Sequence, residues 1–556
     1  MLKALSHVLL LLCVLSVDGC AQSDWVAAEL EVFERVQAQP VSEVPATGSV
    51  YVIKVESQQE FDGLDQAITR AIALGKQDIW VKMAPGKYLF HENHLFRLDE
   101  NRPEVSICIE GRDVVITADP AYEEDVALDS PWREMEQMEG LIEVVDKERK
   151  LCRIPYKNSM GADERERLTR VQVPQWFLAP EYPVSSIDET GIYFVAPELE
   201  WENGYGHKGY NVNFDYLYLG RIPRFRLYDK AGERLFRASC FLKLENCCYR
   251  RFNIKGLRFV GNGSGAALID MEKVNAGQVC VQDCEFANIH GSVANFSATG
   301  RVVFDLNQIR NTDGNELRFV NHCPDVRITR NLFENCGQSI GNTFCVTCWE
   351  ATYYIAENVF RDFGYGAIGV GVWHGFEKRW PSEGIIEHNE IYFTQDYFDQ
   401  AWKYTLMDSG AIYTWTQNDR VLIRYNSIHD YTGMGDNRGI FCDDGAGNLV
   451  IYRNVVLNTP TSYSIDSRSV QASDTGFRTN ENNFMAENVV DNGVRFMGNE
   501  VEDRHCRKGK NFVIVRDGVS RAVTQYAWLE QIEDDVVITD GSYEEVVQRF
   551  FKTRNN

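Results

Sequence analysis

Two short segments hold the residues best suited to chemistry. One reads Met407-Asp408-Ser409-Gly410-Ala411-Ile412-Tyr413-Thr414-Trp415, the other Asp436-Asn437-Arg438-Gly439-Ile440-Phe441-Cys442-Asp443-Asp444-Gly445. Two carboxyls brought close do not both ionise freely, so one serves as an acid and the other as a base or nucleophile. Cleaving a glycosidic bond requires that division, with carboxyls about 5 Å apart for retention and about 6.5–9.5 Å for inversion. Asp408 with Asp443 or Asp444 are the candidate pair, and His374, in a loop reading Gly371-Val-Trp-His-Gly375, is a further catalytic candidate. Trp373, Trp402, Tyr413 and Trp415 offer flat apolar faces to a sugar ring, and Arg438, Glu316 and Asp466 are candidate substrate contacts. Clustered Asp and Asn oxygens also suit a structural calcium ion, and Asp443-Asp444-Gly445 also suits a hydrogen-bonded turn.

What could bring these residues together is a repeat. Asn331, Asn358, Asn389, Asn426, Asn454 and Asn488 each sit between short apolar runs, as in Ile-Arg-Tyr-Asn426-Ser-Ile and Ile-Tyr-Arg-Asn454-Val-Val. The spacings are 27, 31, 37, 28 and 34 residues, the signature of a solenoid whose coils bury their apolar faces only by stacking. An Asn at a recurring inward turn can donate to one neighbouring coil and accept from the other, so the column satisfies itself. Aligning Asn426 with Asn454 sets Asp408 level with Asp436, and Trp415 level with Asp443, on coils roughly 4.8 Å apart. Asp408 and Asp443 then lie about seven positions apart along the coil direction, a separation that a fold-back must shorten. His429-Asp430, just past the Asn426 turn, reads as a local brace.

The 556-residue chain carries 57 Lys and Arg against 81 Asp and Glu, a formal charge of −24. That balance argues against nucleic acid and against highly charged polyanions. Residues 1–19 read as a signal peptide, and Val17-Asp18-Gly19-Cys20 resembles a lipobox in which Cys20 is lipidated. The chain is therefore expected to be exported, as a periplasmic, outer-membrane or cell-surface lipoprotein, or otherwise secreted. Of 15 Cys, several occupy apolar slots of the repeat, where a free Cys packs as a small hydrophobe; a local disulfide is the alternative. Phe61, Leu64, Ile68 and Ala71 at helical spacing predict a capping helix within an N-terminal segment, 20–117. A Pro-rich stretch, 118–250, predicts an inserted β-rich subdomain with an aromatic loop around His207. The main stack is placed at 251–506 and a C-terminal cap or accessory element at 507–556.

The coils Asp408-x-Gly-Ala-Ile-Tyr-Thr-Trp and Gly439-Ile-Phe-Cys-Asp-Asp-Gly, each followed by a strand ending in Asn, resemble secreted bacterial right-handed parallel β-helix proteins of the pectate-lyase-like superfamily. The nearer resemblance is to glycoside hydrolase families 141 and 120, with α-L-fucosidase, xylanase and β-xylosidase members. It implies an all-β solenoid and a polysaccharide or oligosaccharide substrate. It also implies catalytic roles for Asp408 and for Asp443 or Asp444, with no organic cofactor. The chain departs from the pattern at Ser409 and at Phe441-Cys442, where relatives show Tyr-Leu, which leaves the sugar open. A polysaccharide lyase on the same fold and a non-catalytic glycan-binding solenoid are the competing expectations.

Overall fold

The structure is a computed structural model. It describes residues 50–90, 96–98, 101–118, 143–146, 148–155, 168–172, 181–195, 226–229, 240–263, 267–312, 314, 316–337, 343–371, 382–399, 408–433, 437–466, 483–492, 494–497, 506–514, 530–531 and 534–538. The repeat is a right-handed parallel β-helix with three strands per coil, each strand pairing with the one three further along the chain. Ile269–Glu272, Ala294–Ser297, Leu317–Val320, Phe344–Trp349, Gly366–Gly371 and Ser409–Arg424 pair successively in parallel and make one face. That face continues into Asn437–Tyr452 and Thr461–Asp466.

Side chains alternate across each strand. Inward positions stack like on like, as in Phe333 over Phe360 at 4.6 Å and Phe296 over Phe319 at 5.0 Å between ring centroids. Along one inner corner runs the Asn column. Nδ2 of each Asn donates to Oδ1 of the next, from Asn307 through Asn331, Asn358, Asn389, Asn426, Asn454 and Asn488 to Asn511. Backbone N–H groups reinforce it by donating to the same oxygens. The residue before each ladder Asn from 307 to 488 has positive φ, from Leu306 at 57° to Glu487 at 55°. A left-handed residue turns the chain tightly enough to aim the next side chain inward.

Both ends differ from the middle. Gln58–Asp62 and Leu64–Ala73 are consecutive helices joined at Gly63, the first capped by Ser57. Glu60 accepts from the backbone N–H of Glu56, the residue before the cap, at 2.7 Å and from the Ser57 hydroxyl at 3.1 Å. Their apolar face, Phe61, Leu64, Ile68 and Ala71, is buried in the same core as the first coils. Glu143–Asp146, Leu151–Pro155, Leu168–Gln172, Glu181–Ile187, Gly191–Val195 and Arg226–Asp229 form a separate antiparallel sheet inserted in the chain before the stack resumes at Leu242–Glu245. Beyond residue 506 the parallel pairing continues: Phe512–Ile514 joins Val489–Val490 and then Val536–Ile538. All 13 described cysteines are free, and most are buried. Cys345 and Cys348 pack in the main core.

Candidate active site

Outward positions on the first face of the β-helix are unusual. Val320, Phe344, Trp349, Tyr365, Tyr413, Trp415 and Phe441 form a buried cluster separate from the coil core. Register explains it. Trp349 pairs with Gly371, Gly371 with Trp415, and Trp415 with Asp443, a single outward column. A second column runs Thr347, Gly369, Tyr413, Phe441. Between them the Phe344 ring lies flat on glycine: a Cβ at Gly366 or Gly369 would stand 2.6 Å from it. Only glycine leaves room for that ring, whose centroid lies 5.4 Å from that of Tyr413 and 5.2 Å from that of Tyr365.

Two carboxylates meet this cluster from opposite ends. The Tyr413 hydroxyl donates to Asp443 Oδ2, and Asp443 is 7% exposed. Asp408 precedes its strand in the left-handed conformation, φ 56°, which Asp tolerates better than most residues. It is held by the Tyr365 hydroxyl, which donates to its carbonyl at 2.8 Å, and by Arg438 Nη1, which donates to its carboxylate at 3.0 Å. Arg438 is 1% exposed and lies over the Phe441 ring, 3.8 Å from the centroid. Phe441 meets Tyr413 edge-on at 4.9 Å. A continuous set of contacts therefore runs Asp408, Arg438, Phe441, Tyr413, Asp443. A long arginine and two rings thus connect the two ends of the cluster.

The electrostatics agree. Burial, then the charge of Asp408, then that of Asp443 hold the Tyr365 hydroxyl well above the usual phenol range. Tyr413 is pushed up likewise, by burial, then Asp443, then Tyr365 and Asp408. Each hydroxyl feels both carboxylates. Behind Asp408 a relay fixes the backbone. Asn437 Nδ2 donates to Ser409 Oγ at 2.6 Å, the Ser409 hydroxyl lies 2.5 Å from that of Tyr431, and Tyr431 donates to the Tyr365 carbonyl at 2.8 Å.

The structure thus gathers Asp408, Asp443, Tyr413, Trp415 and Arg438. Asp466 follows Ile465, which pairs with Cys442, so its register place is level with Asp443 one rung on. Glu316 lies elsewhere: it is fully buried and accepts the Gly337 amide at 3.0 Å, bracing a turn. Asp444 lies within the strand Asn437–Tyr452, its side chain outside the described residues. His374, Trp373, Trp402, His207 and Cys20 also fall outside them. His429 is a brace on another face, 2.8 Å from Asp430. Sequence reasoning missed Phe344, Trp349, Tyr365 and Tyr431. The signal for Phe344 and Trp349 was the glycine at 366 and 371, each level with one of them once the coils are aligned. Among the described residues no group of three or more His, Cys, Asp or Glu could hold a metal ion.

No protein-family model matches the chain, and no curated protein matches it. Among solved structures it is similar to a glycoside hydrolase at 9% identity, with TM-score 0.48 over 91% of this chain and 100% of that one. It is similar to XylC in complex with xylose at 9% identity, TM-score 0.42, over 89% and 86%. It is also similar to the A-module of the Azotobacter vinelandii mannuronan C-5 epimerase AlgE4 at 8% identity, TM-score 0.31, over 87% and 94%. Likenesses this distant carry no functional argument, and function has to be read from the site.

Proposed function

We propose that the protein is an exported glycoside hydrolase acting on a polysaccharide or oligosaccharide. The observation that supports this most is the run of contacts that joins the two carboxylates: Arg438 donates to Asp408 and lies over Phe441, and Phe441 meets Tyr413, whose hydroxyl donates to Asp443. Arg438 sets a compensating charge beside Asp408. That suits a carboxylate that stays ionised, the base or nucleophile, and leaves the proton-donor role to Asp443. Tyr413 orients the Asp443 carboxyl, and Trp415 supplies an apolar wall. The resemblance to families 141 and 120 makes fucosides and xylosides the first substrates to try, and leaves the sugar open; lipidation at Cys20 would hold the enzyme at the membrane.

The test is hydrolysis of aryl α-L-fucosides, aryl β-xylosides and plant or algal polysaccharides, read as released phenol and new reducing ends. Asp443→Asn and Asp408→Asn should each lose about 10²–10⁴-fold in rate while keeping the wild-type fold by circular dichroism. Full activity in Asp443→Asn would exclude this mechanism. Unsaturated uronate products without new saturated ends would assign a lyase instead.

A further inference from the structure

We infer that Cys336 and Cys345 form a disulfide across one corner of the coil, a covalent lock on the strand that carries Phe344 and Trp349 into the candidate active face. The bond needs an oxidising compartment, which the export reading supplies, and it is independent of the hydrolase reading.

Both residues belong to the main core, Cys336 at 0% and Cys345 at 1% exposure. Cys336 ends the strand Leu332–Cys336 and pairs with Phe363 of the next coil. Phe344 pairs with Gly366 and Val346 with Ile368, which sets Cys345 level with Ala367. The next coil turns this corner in four residues, from Phe363 to Ala367, both buried in the same core. Cys336 and Cys345, nine residues apart in the chain, hold the two ends of the same corner one rung away. Hydrogen bonds fix those ends. The Gly364 N–H donates to the Cys336 carbonyl at 2.9 Å, and the Gly366 N–H to the Thr343 carbonyl at 3.4 Å. The Thr343 hydroxyl donates to the Gly337 carbonyl at 3.5 Å, which ties the chain before Cys345 to the chain after Cys336. The two thiols meet inside this corner and hydrogen-bond to each other. A disulfide requires side chains that converge at short range, and register, burial and contact agree that these two do.

In the structure both are thiols. Joining them forms one S–S bond and gives up two protons and two electrons. The oxidant is the disulfide of a thiol oxidoreductase or of glutathione. One cysteine thiolate attacks it, a thiol leaves, and the second cysteine closes the intramolecular bond, so that the oxidant's own S–S bond becomes two thiols. Burial sets the order of events. It pushes both thiols above the ordinary range, and a buried thiol is a poor nucleophile. The bond therefore forms while the corner is still open during folding, and the closed core then shields it from reductants. Phe344 adjoins Cys345, and its ring lies on Gly366 and Gly369 beside Tyr413, so the lock holds one wall of the aromatic cluster in place.

The experiment produces the chain twice: once with residues 1–20 exchanged for an efficient secretory leader into an oxidising compartment, and once with them removed, in a reducing cytosol. The chain's own leader is then not under test. Each soluble product is denatured in N-ethylmaleimide without reductant and digested with trypsin, which releases residues 331–361 as one peptide holding Cys336, Cys345 and Cys348. From the secreted chain that peptide should carry one maleimide, on Cys348, and lack two hydrogens at Cys336 and Cys345. Reduction before alkylation should raise the count to three, the count expected from the cytosolic chain. Cys348→Ala should leave the link in place, and Cys345→Ala should free Cys336 for alkylation. Three maleimides on the secreted wild-type peptide, a link through Cys348, or a link from either cysteine to another peptide overturns the inference. The hydrolase reading fails separately: turnover indifferent to Asp443→Asn in a chain that carries the bond would remove the mechanism and leave the lock.

Discussion

Replacing Asn358 by alanine removes the middle of the inner ladder, and the structure sets the cost. The Asn358 side-chain oxygen accepts from the Asn331 backbone N–H at 3.0 Å and from Asn331 Nδ2 at 2.9 Å. Its Nδ2 donates to the Ile328 carbonyl at 2.9 Å and to Asn389 Oδ1 at 3.0 Å. The residue is 1% exposed, so bulk water does not replace these bonds. Some partners keep a second bond. Asn331 Nδ2 retains the Phe304 carbonyl, and Asn389 Oδ1 retains the residue 358 backbone N–H. The Asn331 backbone N–H loses its acceptor. One orphaned buried N–H and three weakened groups amount to about 3–5 kcal/mol. In a solenoid that loss stays local to two interfaces and lowers the whole only as far as they are coupled. Urea unfolding followed by tryptophan fluorescence and far-ultraviolet dichroism measures it. Asn358→Asp sharpens the test, because it keeps the volume and the accepting oxygen and turns the two donors into acceptors facing oxygens. It should be less stable than alanine at neutral pH and recover as pH falls, when a protonated carboxyl regains one donor. An alanine variant within about 0.5 kcal/mol of wild type, or an aspartate no worse than alanine, would refute the ladder as a source of stability.

Cys284 stands at the head of the same column: its N–H donates to Asn307 Oδ1 at 2.9 Å, and its thiol points to the Gln282 and Ile254 carbonyls. Asn426 Nδ2 bonds the equivalent carbonyls, Arg424 and Ile386, so Cys284→Asn should extend the ladder and raise stability by about 1 kcal/mol in the same unfolding assay. Burial opposes protonation of His429, but hydrogen bonds and charges from Asp430 and Glu390 outweigh it and lift its pKa to about 9. Because the folded value lies above the unfolded value of about 6.5, the stabilisation is complete below that pH and disappears as pH rises through about 9. Stability should fall by on the order of 2 kcal/mol across that window, and His429→Gln should flatten the profile.

Much of this was legible in the chain. The six Asn residues between apolar runs gave the coil period, and aligning Asn426 with Asn454 gave the observed pairing of Trp415 with Asp443. Asn307 and Asn511 belong to the ladder and escaped notice. Gln308 interrupts the apolar run after the first, and the polar run Arg507 to Lys510 precedes the second. Cys284 has no amide to betray it. Glu316 stood in an acidic, glycine-containing stretch that suggested a groove, and burial beside the Gly337 amide gave it another task. The aromatic cluster was only half visible because its members come from coils of unequal length. Phe344 and Tyr365 join Tyr413 through strand pairing across loops, and spacing alone does not count through loops. The link between Asp408 and Asp443 was hidden for the same reason: it runs through the Arg438 side chain, Phe441 and Tyr413, and a count of residues along the backbone does not show it.

That arginine gives the clearest separation of stability from function. A solenoid core needs nothing from its outer face, yet here an outer cluster buries Arg438 against Phe441 and pairs it with Asp408. Taking both charges from water costs several kcal/mol per ion, and their attraction returns that only in part. If the pair existed for stability, replacing both members by neutral residues should weaken the fold. If it exists to hold Asp408 charged and aimed at the aromatic pocket, the double variant Asp408→Asn with Arg438→Met should unfold at or above the wild-type urea midpoint and cleave nothing. Arg438→Met alone should lose about 1–3 kcal/mol, because it takes the cation from a carboxylate that is 26% exposed. A double variant that is both less stable than either single variant and still active would mean that the pair is scaffolding, and that the chemistry lies outside this cluster.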